Sequence, residues 1–162
     1  MKKRILSLLL ILCMAVSLLP TAAFAAEPTT RNEASIGKTE YATLAEAVGK
    51  AQDGETVTLL KDVTVSDTIT IGKLITINGD NKTITAGSNT GAGETGFVLF
   101  KIEADNSKGV SNSVTIQNCK FEIPGNNATN AWAAILVERG TLSGLTIQNN
   151  SFNIEKTSRV PG

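Results

Sequence analysis

The 162-residue chain has 15 basic and 15 acidic residues, no histidine and two cysteines, for a formal charge of zero. That balance offers nucleic acid no basic surface. The absence of histidine excludes Ser-His-Asp and Cys-His catalysis.

Lys2, Lys3 and Arg4 precede an apolar run from Ile5 to Leu19 broken only by Ser7 and Ser17, and Pro20 and Ala23-Phe24-Ala25 follow. A cationic start, a short apolar run and an A-x-A site form a secretory signal peptide over 1–25, cut after Ala25. The run is shorter than the roughly 20 residues of a bilayer span, so no membrane segment is expected after cleavage. Removal of the leader leaves 137 residues with twelve basic and fifteen acidic side chains. Cys13 leaves with the leader, and Cys119 alone cannot form an internal disulfide. The expected product is a secreted or cell-surface domain that folds without that crosslink.

Residues 26–35 are polar and aperiodic, which predicts a flexible leader before a domain spanning 36–162. One helix signal follows. Thr43 and Glu46 have capping-box spacing. Leu44, Ala47, Val48 and Ala51 recur at i, i+3, i+4 and i+7, and Gly54 marks the stop.

Beyond Gly54 the apolar period falls to two: Val57 and Leu59, Ile69 and Ile71, Ile75 and Ile77, then Ile84, each beside threonine. Short β-branched runs punctuated by Gly, Asn and Asp predict strands with tight corners. The repeat is explicit in Val114-Thr-Ile-Gln-Asn-Cys-Lys-Phe-Glu-Ile123 and Leu145-Thr-Ile-Gln-Asn-Asn-Ser-Phe-Asn-Ile154, offset by 31 residues. A weaker copy is Ile75-Thr76-Ile77-Asn78-Gly79, 39 residues before Val114. Apolar runs around Val98 and Ile135, 37 apart, lie between the copies. Such periods indicate stacked units that bury one another's apolar faces. Val114 is expected over Leu145, Ile116 over Ile147 and Phe121 over Phe152, with Asn118 over Asn149 in an amide ladder. The predicted class is all-β: a parallel β-solenoid of three to four coils.

Tyr41-Ala42-Thr43-Leu44-Ala45-Glu46-Ala47-Val48, with Ala51, Gly54-Glu55 and Thr56-Val57-Thr58-Leu59, resembles the opening of right-handed parallel β-helix proteins of the pectin lyase-like superfamily. In that superfamily an amphipathic helix caps the first coil. Leu60-Lys61-Asp62-Val63-Thr64 and the 75–79 segment resemble repetitive surface proteins of Gram-positive gut bacteria. The resemblance covers about residues 36–154 and implies a fold that hosts lyases, hydrolases, adhesins and spacers.

The carboxylates are scattered: Asp53, Glu55, Asp62, Asp67, Asp80, Glu103, Asp105, Glu122 and Glu138. No stacked trio is expected to hold calcium. The repeat aligns Glu122 with Asn153, so it supplies no paired acids, and Arg139 reads as an ion-pair partner of Glu138. Cys119 reads as a buried apolar residue. No catalytic, cofactor-binding or metal-binding residue is therefore assigned, and no cofactor.

Trp132, the only tryptophan, falls in a polar stretch read as an insertion between strands. With Asn126, Asn127 and Asn130 it could stack against a sugar ring, so glycans or cell-wall polymers are the expected partners. The expected role is a non-catalytic module for display, adhesion or glycan contact. The alternatives are the first part of a polysaccharide lyase or glycoside hydrolase with its active site beyond Gly162, and a passive spacer. No capping element follows Ile154. That predicts a chain continuing past Gly162, or a last coil edge that pairs with further chain or another copy.

Overall fold

The computed structural model describes residues 32–88, 96–103, 113–125, 131–138 and 144–155. Apart from one short helix, their regular structure is β, and three sheets share the strands. The signal segment 1–25 lies outside the described residues. No described helix is long and apolar enough to cross a membrane.

The chain begins with two short strands, β1 (Ala34–Ile36) and β2 (Thr39–Tyr41), paired antiparallel around a turn at Gly37, whose φ is +58°. The leader expected to reach Ser35 thus has its last two residues in β1, and Ala34 is fully buried. The helix α1 (Leu44–Lys50) follows. The Thr43 hydroxyl accepts from Glu46 N–H at 3.1 Å, capping the first turn. Leu44, Ala47, Val48 and Ala51 are buried, as the spacing predicts. The helix ends at Lys50, before Gly54. Gly54, with φ +84°, instead shapes the turn into the next strand, and its N–H donates to Leu74 O at 2.9 Å.

From there the chain visits three parallel sheets in cyclic order. The first cycle is β3 (Thr56–Leu59), β4 (Val63–Val65) and β5 (Ile69–Ile71); the second is β6 (Thr76–Asn78), β7 (Thr83–Ala86) and β8 (Phe97–Ile102). The third is β9 (Val114–Gln117), β10 (Lys120–Ile123) and β11 (Ala131–Val137), and β12 (Leu145–Gln148) and β13 (Ser151–Ile154) begin a fourth. One sheet orders β3, β6, β9 and β12, with β1 and β2 on the β3 edge. The second orders β4, β7, β10 and β13, and the third orders β5, β8 and β11.

Each register places like on like. Val57, Ile77, Ile116 and Ile147 form one column. Val63, Ile84, Phe121 and Phe152 form another. On the opposite face Thr56, Thr76, Thr115 and Thr146 line up. Val114 pairs with Leu145, Ile116 with Ile147 and Phe121 with Phe152, as the 31-residue repeat predicts, whereas the Asn118 amide reaches Asn78 in the preceding cycle and not Asn149. The 37-residue spacing is corrected: Ile135 pairs with Phe100 and Ala133 with Val98, so Val98 and Ile135 are not partners, and a bulge between Ala131 and Ala133 adds one residue to β11.

Inward side chains from all three sheets and α1 belong to one apolar cluster. Phe100 meets Phe121 edge-to-face, with centroids 5.9 Å apart, and Phe121 stacks on Phe152 at 5.0 Å. The corner from the first sheet to the second repeats in backbone as well as sequence. Asn118 and Asn149 have φ +56° and +53°, and Asp80 and Asn81 turn the same corner one cycle earlier at +47° and +61°. Asn and Asp tolerate this left-handed region better than other side-chain-bearing residues. Side-chain amide contacts run from Asn118 Nδ2 to Asn78 Oδ1 at 3.0 Å and from Gln148 Nε2 to Gln117 Oε1 at 2.8 Å. Asn150 serves the corner differently: it donates to Ile116 O and accepts from Cys119 N–H, each at 2.8 Å.

Candidate functional site

The third sheet carries the side chains that stand out on the molecular surface. Trp132 lies within β11, at its bulge, so it is a strand residue and does not sit in the polar insertion expected from the sequence. The extra residue interrupts the in-and-out alternation and turns the indole outward between Ala131 and Ala133, leaving it 59 % exposed. Asn126, Asn127 and Asn130, the other expected sugar contacts, lie outside the described residues.

The opposite end of the same strand pair carries an ion cluster. Val137 pairs with Ile102, and Glu138 N–H donates to Ile102 O at 3.0 Å, which brings Glu138 beside Glu103. Lys101 Nζ bridges both carboxylates, at 2.6 Å from Glu103 and 2.5 Å from Glu138. Hydrogen bonds to Glu103 and then Glu138 raise the ammonium to about 12. The structure thus assembles a stacked acid pair that the 31-residue repeat lacks. Both runs end in glutamate, Phe97 to Glu103 and Ala131 to Glu138. Aligning them on that residue, rather than on their valines and isoleucines, finds the pair.

The pair does not have the layout of a hydrolytic site. Paired-carboxylate catalysis needs room between the two groups for the sugar and its water. Here an ammonium fills that room. Arg139, the expected partner of Glu138, lies outside the described residues. Among the described residues no three His, Cys, Asp or Glu side chains come together as a metal cluster.

Cys119 is buried at the corner below Asn150, and burial pushes its thiol up to about 11, opposed in part by a backbone hydrogen bond from Gly79. A thiol so protonated at neutral pH is a poor nucleophile. Shallow clefts also lie among the described residues. One, of about 210 Å³, is lined by Glu33, Thr43, Ser66, Asp67 and Ile69. Its Glu33 carboxylate already accepts from Leu44 N–H at 2.9 Å. Another, of about 250 Å³, lies beside Glu122, Pro124, Asn153 and Glu155. Glu155 there accepts from Gly125 N–H at 3.1 Å.

A scan against protein-family models, a search of curated proteins and a search of solved structures each found no match to this chain.

Proposed function

We propose that the chain is an exported, non-catalytic module of the right-handed parallel β-helix type, secreted or held at the cell surface, that contacts glycans or cell-wall polymers through Trp132. The observation that carries this reading is the indole of Trp132, 59 % exposed on the β11 strand at its bulge. An aromatic ring presented on a rigid strand can stack on the apolar face of a sugar at little entropic cost. The cyclic order of three parallel sheets and the helix before the first cycle support the β-helix reading. The similarity to the pectin lyase-like superfamily and to surface proteins of Gram-positive gut bacteria rests on the resemblance of the sequence from about 36 to 154. The filled space between Glu103 and Glu138 favours a binding module over a hydrolase.

The test is a polysaccharide and glycan screen on the chain recovered from culture supernatant, where the proposal expects an N-terminus at Ala26. A retained glycan class is expected, with binding weakened about five- to tenfold in Trp132→Ala at unchanged circular dichroism. Equal binding by the variant removes Trp132 from the site. No binding at all leaves a spacer.

A further inference from the structure

The corner between the first and second sheets differs among the cycles in one respect that bears on covalent chemistry. Asn78 of β6 pairs with Gln117 of β9, and Gln117 pairs with Gln148 of β12. The second cycle thus has asparagine where the third and fourth have glutamine, and Gly79 follows it. An asparagine before glycine loses its side-chain amide most readily, because a residue without Cβ does not hinder attack by its own backbone nitrogen on the preceding Cγ.

Packing calls for both residues. Gly79 is buried, and a Cβ on it would lie 2.6 Å from Asn118 O and 2.7 Å from Cys119 Sγ. The Asn78 Oδ1 accepts from Asp80 N–H at 3.2 Å and from Asn118 Nδ2 at 3.0 Å. Glycine permits the close approach of the next corner, and the short amide supplies the acceptor. The same packing keeps the pair from reacting. Gly79 N–H donates to Gln117 O at 2.9 Å. Asn78 ends β6 in extended backbone, whereas closing a five-membered imide needs its ψ turned far out of the extended range. Reaction therefore requires a local opening that frees Gly79 from β9 and releases Asn78 from its strand.

We infer that Asn78-Gly79 is a spontaneous modification site gated by the pairing of the second and third cycles, and that its reaction makes an opening of that pairing permanent. In the open state Gly79 N gives its proton to hydroxide and attacks Asn78 Cγ. The N–Cγ bond forms, the Cγ–Nδ2 bond breaks and ammonia leaves, with no change of oxidation state. Water then cleaves the imide at either carbonyl. Cleavage between Cγ and N gives aspartate, whose carboxylate still accepts from Asp80 N–H and Asn118 Nδ2. Cleavage at the α-carbonyl gives isoaspartate, whose main chain runs through Cβ and Cγ and is longer by one carbon. That carbon moves Gly79 out of register with Gln117 and against the 118–119 corner, which has no room for it, so the second and third cycles do not close again.

The purified chain, held in mildly alkaline buffer with or without guanidinium chloride, tests this by peptide mapping for conversion of amide to carboxyl. In denaturant Asn78 should react ahead of Asn118 and Asn149, whose following residues Cys119 and Asn150 carry side chains. In the folded chain its reaction should be at least about tenfold slower. Amide hydrogen exchange supplies an independent measure. Ring closure needs Gly79 N–H free and Asn78 rotated as well, so the slowing must be no smaller than the exchange protection of Gly79. After dilution from denaturant, refolded and unrefolded chains are separated by size, and isoaspartate is told from aspartate by electron-transfer fragmentation. Isoaspartate at 78 should collect in the unrefolded fraction and aspartate in the refolded one. Equal rates at Asn78 with and without denaturant, no reaction there in denaturant, or a slowing smaller than the Gly79 protection overturns the gate. Isoaspartate shared equally between the two fractions overturns the permanence.

Discussion

The first and fourth cycles use the same kind of strand and meet opposite fates. Val57 and Leu59 in β3 are buried, because β1 covers one edge of the strand, β6 covers the other and α1 packs nearby. Ile147, Phe152 and Ile154 occupy equivalent columns in β12 and β13 and stand about half exposed. Alternating apolar residues thus specify which way a side chain points, and the neighbouring cycle decides whether water is excluded from it. Stability should therefore fall from the N-terminal end toward the fourth cycle.

The largest effect should come from the aromatic column. Phe121 is fully buried between Phe100 and Phe152. Phe121→Ala should cost about 3–5 kcal/mol, the range for a large core truncation. Phe152→Ala, one strand outward in the same column, should cost about 1 kcal/mol, since its ring is half solvated already. Urea unfolding measures both. Equal losses would mean that the fourth cycle is packed as tightly as the third, and would break the comparison.

Next in size is backbone contact between cycles. A Cβ on Gly79 would lie 2.6 Å from Asn118 O and 2.7 Å from both Cα and Sγ of Cys119. Two backbone corners cannot both yield, so Gly79→Ala should cost about 2–3 kcal/mol by overpacking. At Gly144, just before β12, the nearest atom to an added Cβ is Ser113 Cβ at 2.9 Å. Among the described residues β12 pairs on one side only, with β9, so it can shift, and Gly144→Ala should cost about 1 kcal/mol or less. Denaturant midpoints of the two variants sharpen the gradient. A larger loss at Gly144 would reverse it.

The parts of this architecture legible in the sequence are those in which the repeat is undisturbed. Thr-Ile-Gln recurs at 115 and 146, and the structure pairs those residues one to one. The helix was legible because its cap and apolar face lie within one short stretch, from Thr43 to Ala51. β1 was not, because Ala-Ser-Ile has no period of its own and Ala34 is buried only by pairing with β2 and β3. The setting of Trp132 was hidden by the bulge, which adds a residue to β11 and spoils a constant offset. The contact between Glu103 and Glu138 was hidden because the two runs match on their closing glutamates and not on Val98 and Ile135. Side chains 35 residues apart meet there, on a sheet whose offset differs from the 31 of its neighbours.

That contact supplies the smallest expected effect and a view of how the cycles are held together. Lys101 belongs to the second cycle and reaches Glu138, at the end of the third. Lys101→Met removes the bridge while keeping the length of the side chain. The cluster is exposed, so the loss should be slight and should shrink further in 1 M salt. Its pH dependence has a definite sign. The folded ammonium titrates at about 12, above the ordinary 10.5. A raised cationic pKa favours the folded state wherever the group is charged, so the contribution is complete below pH 10.5 and fades as pH rises through about 12. The stability difference between wild type and Lys101→Met should be flat from neutral pH to about 10 and then close. A difference that instead persists unchanged above pH 12 would mean that the charge on Lys101 is not what joins the two cycles.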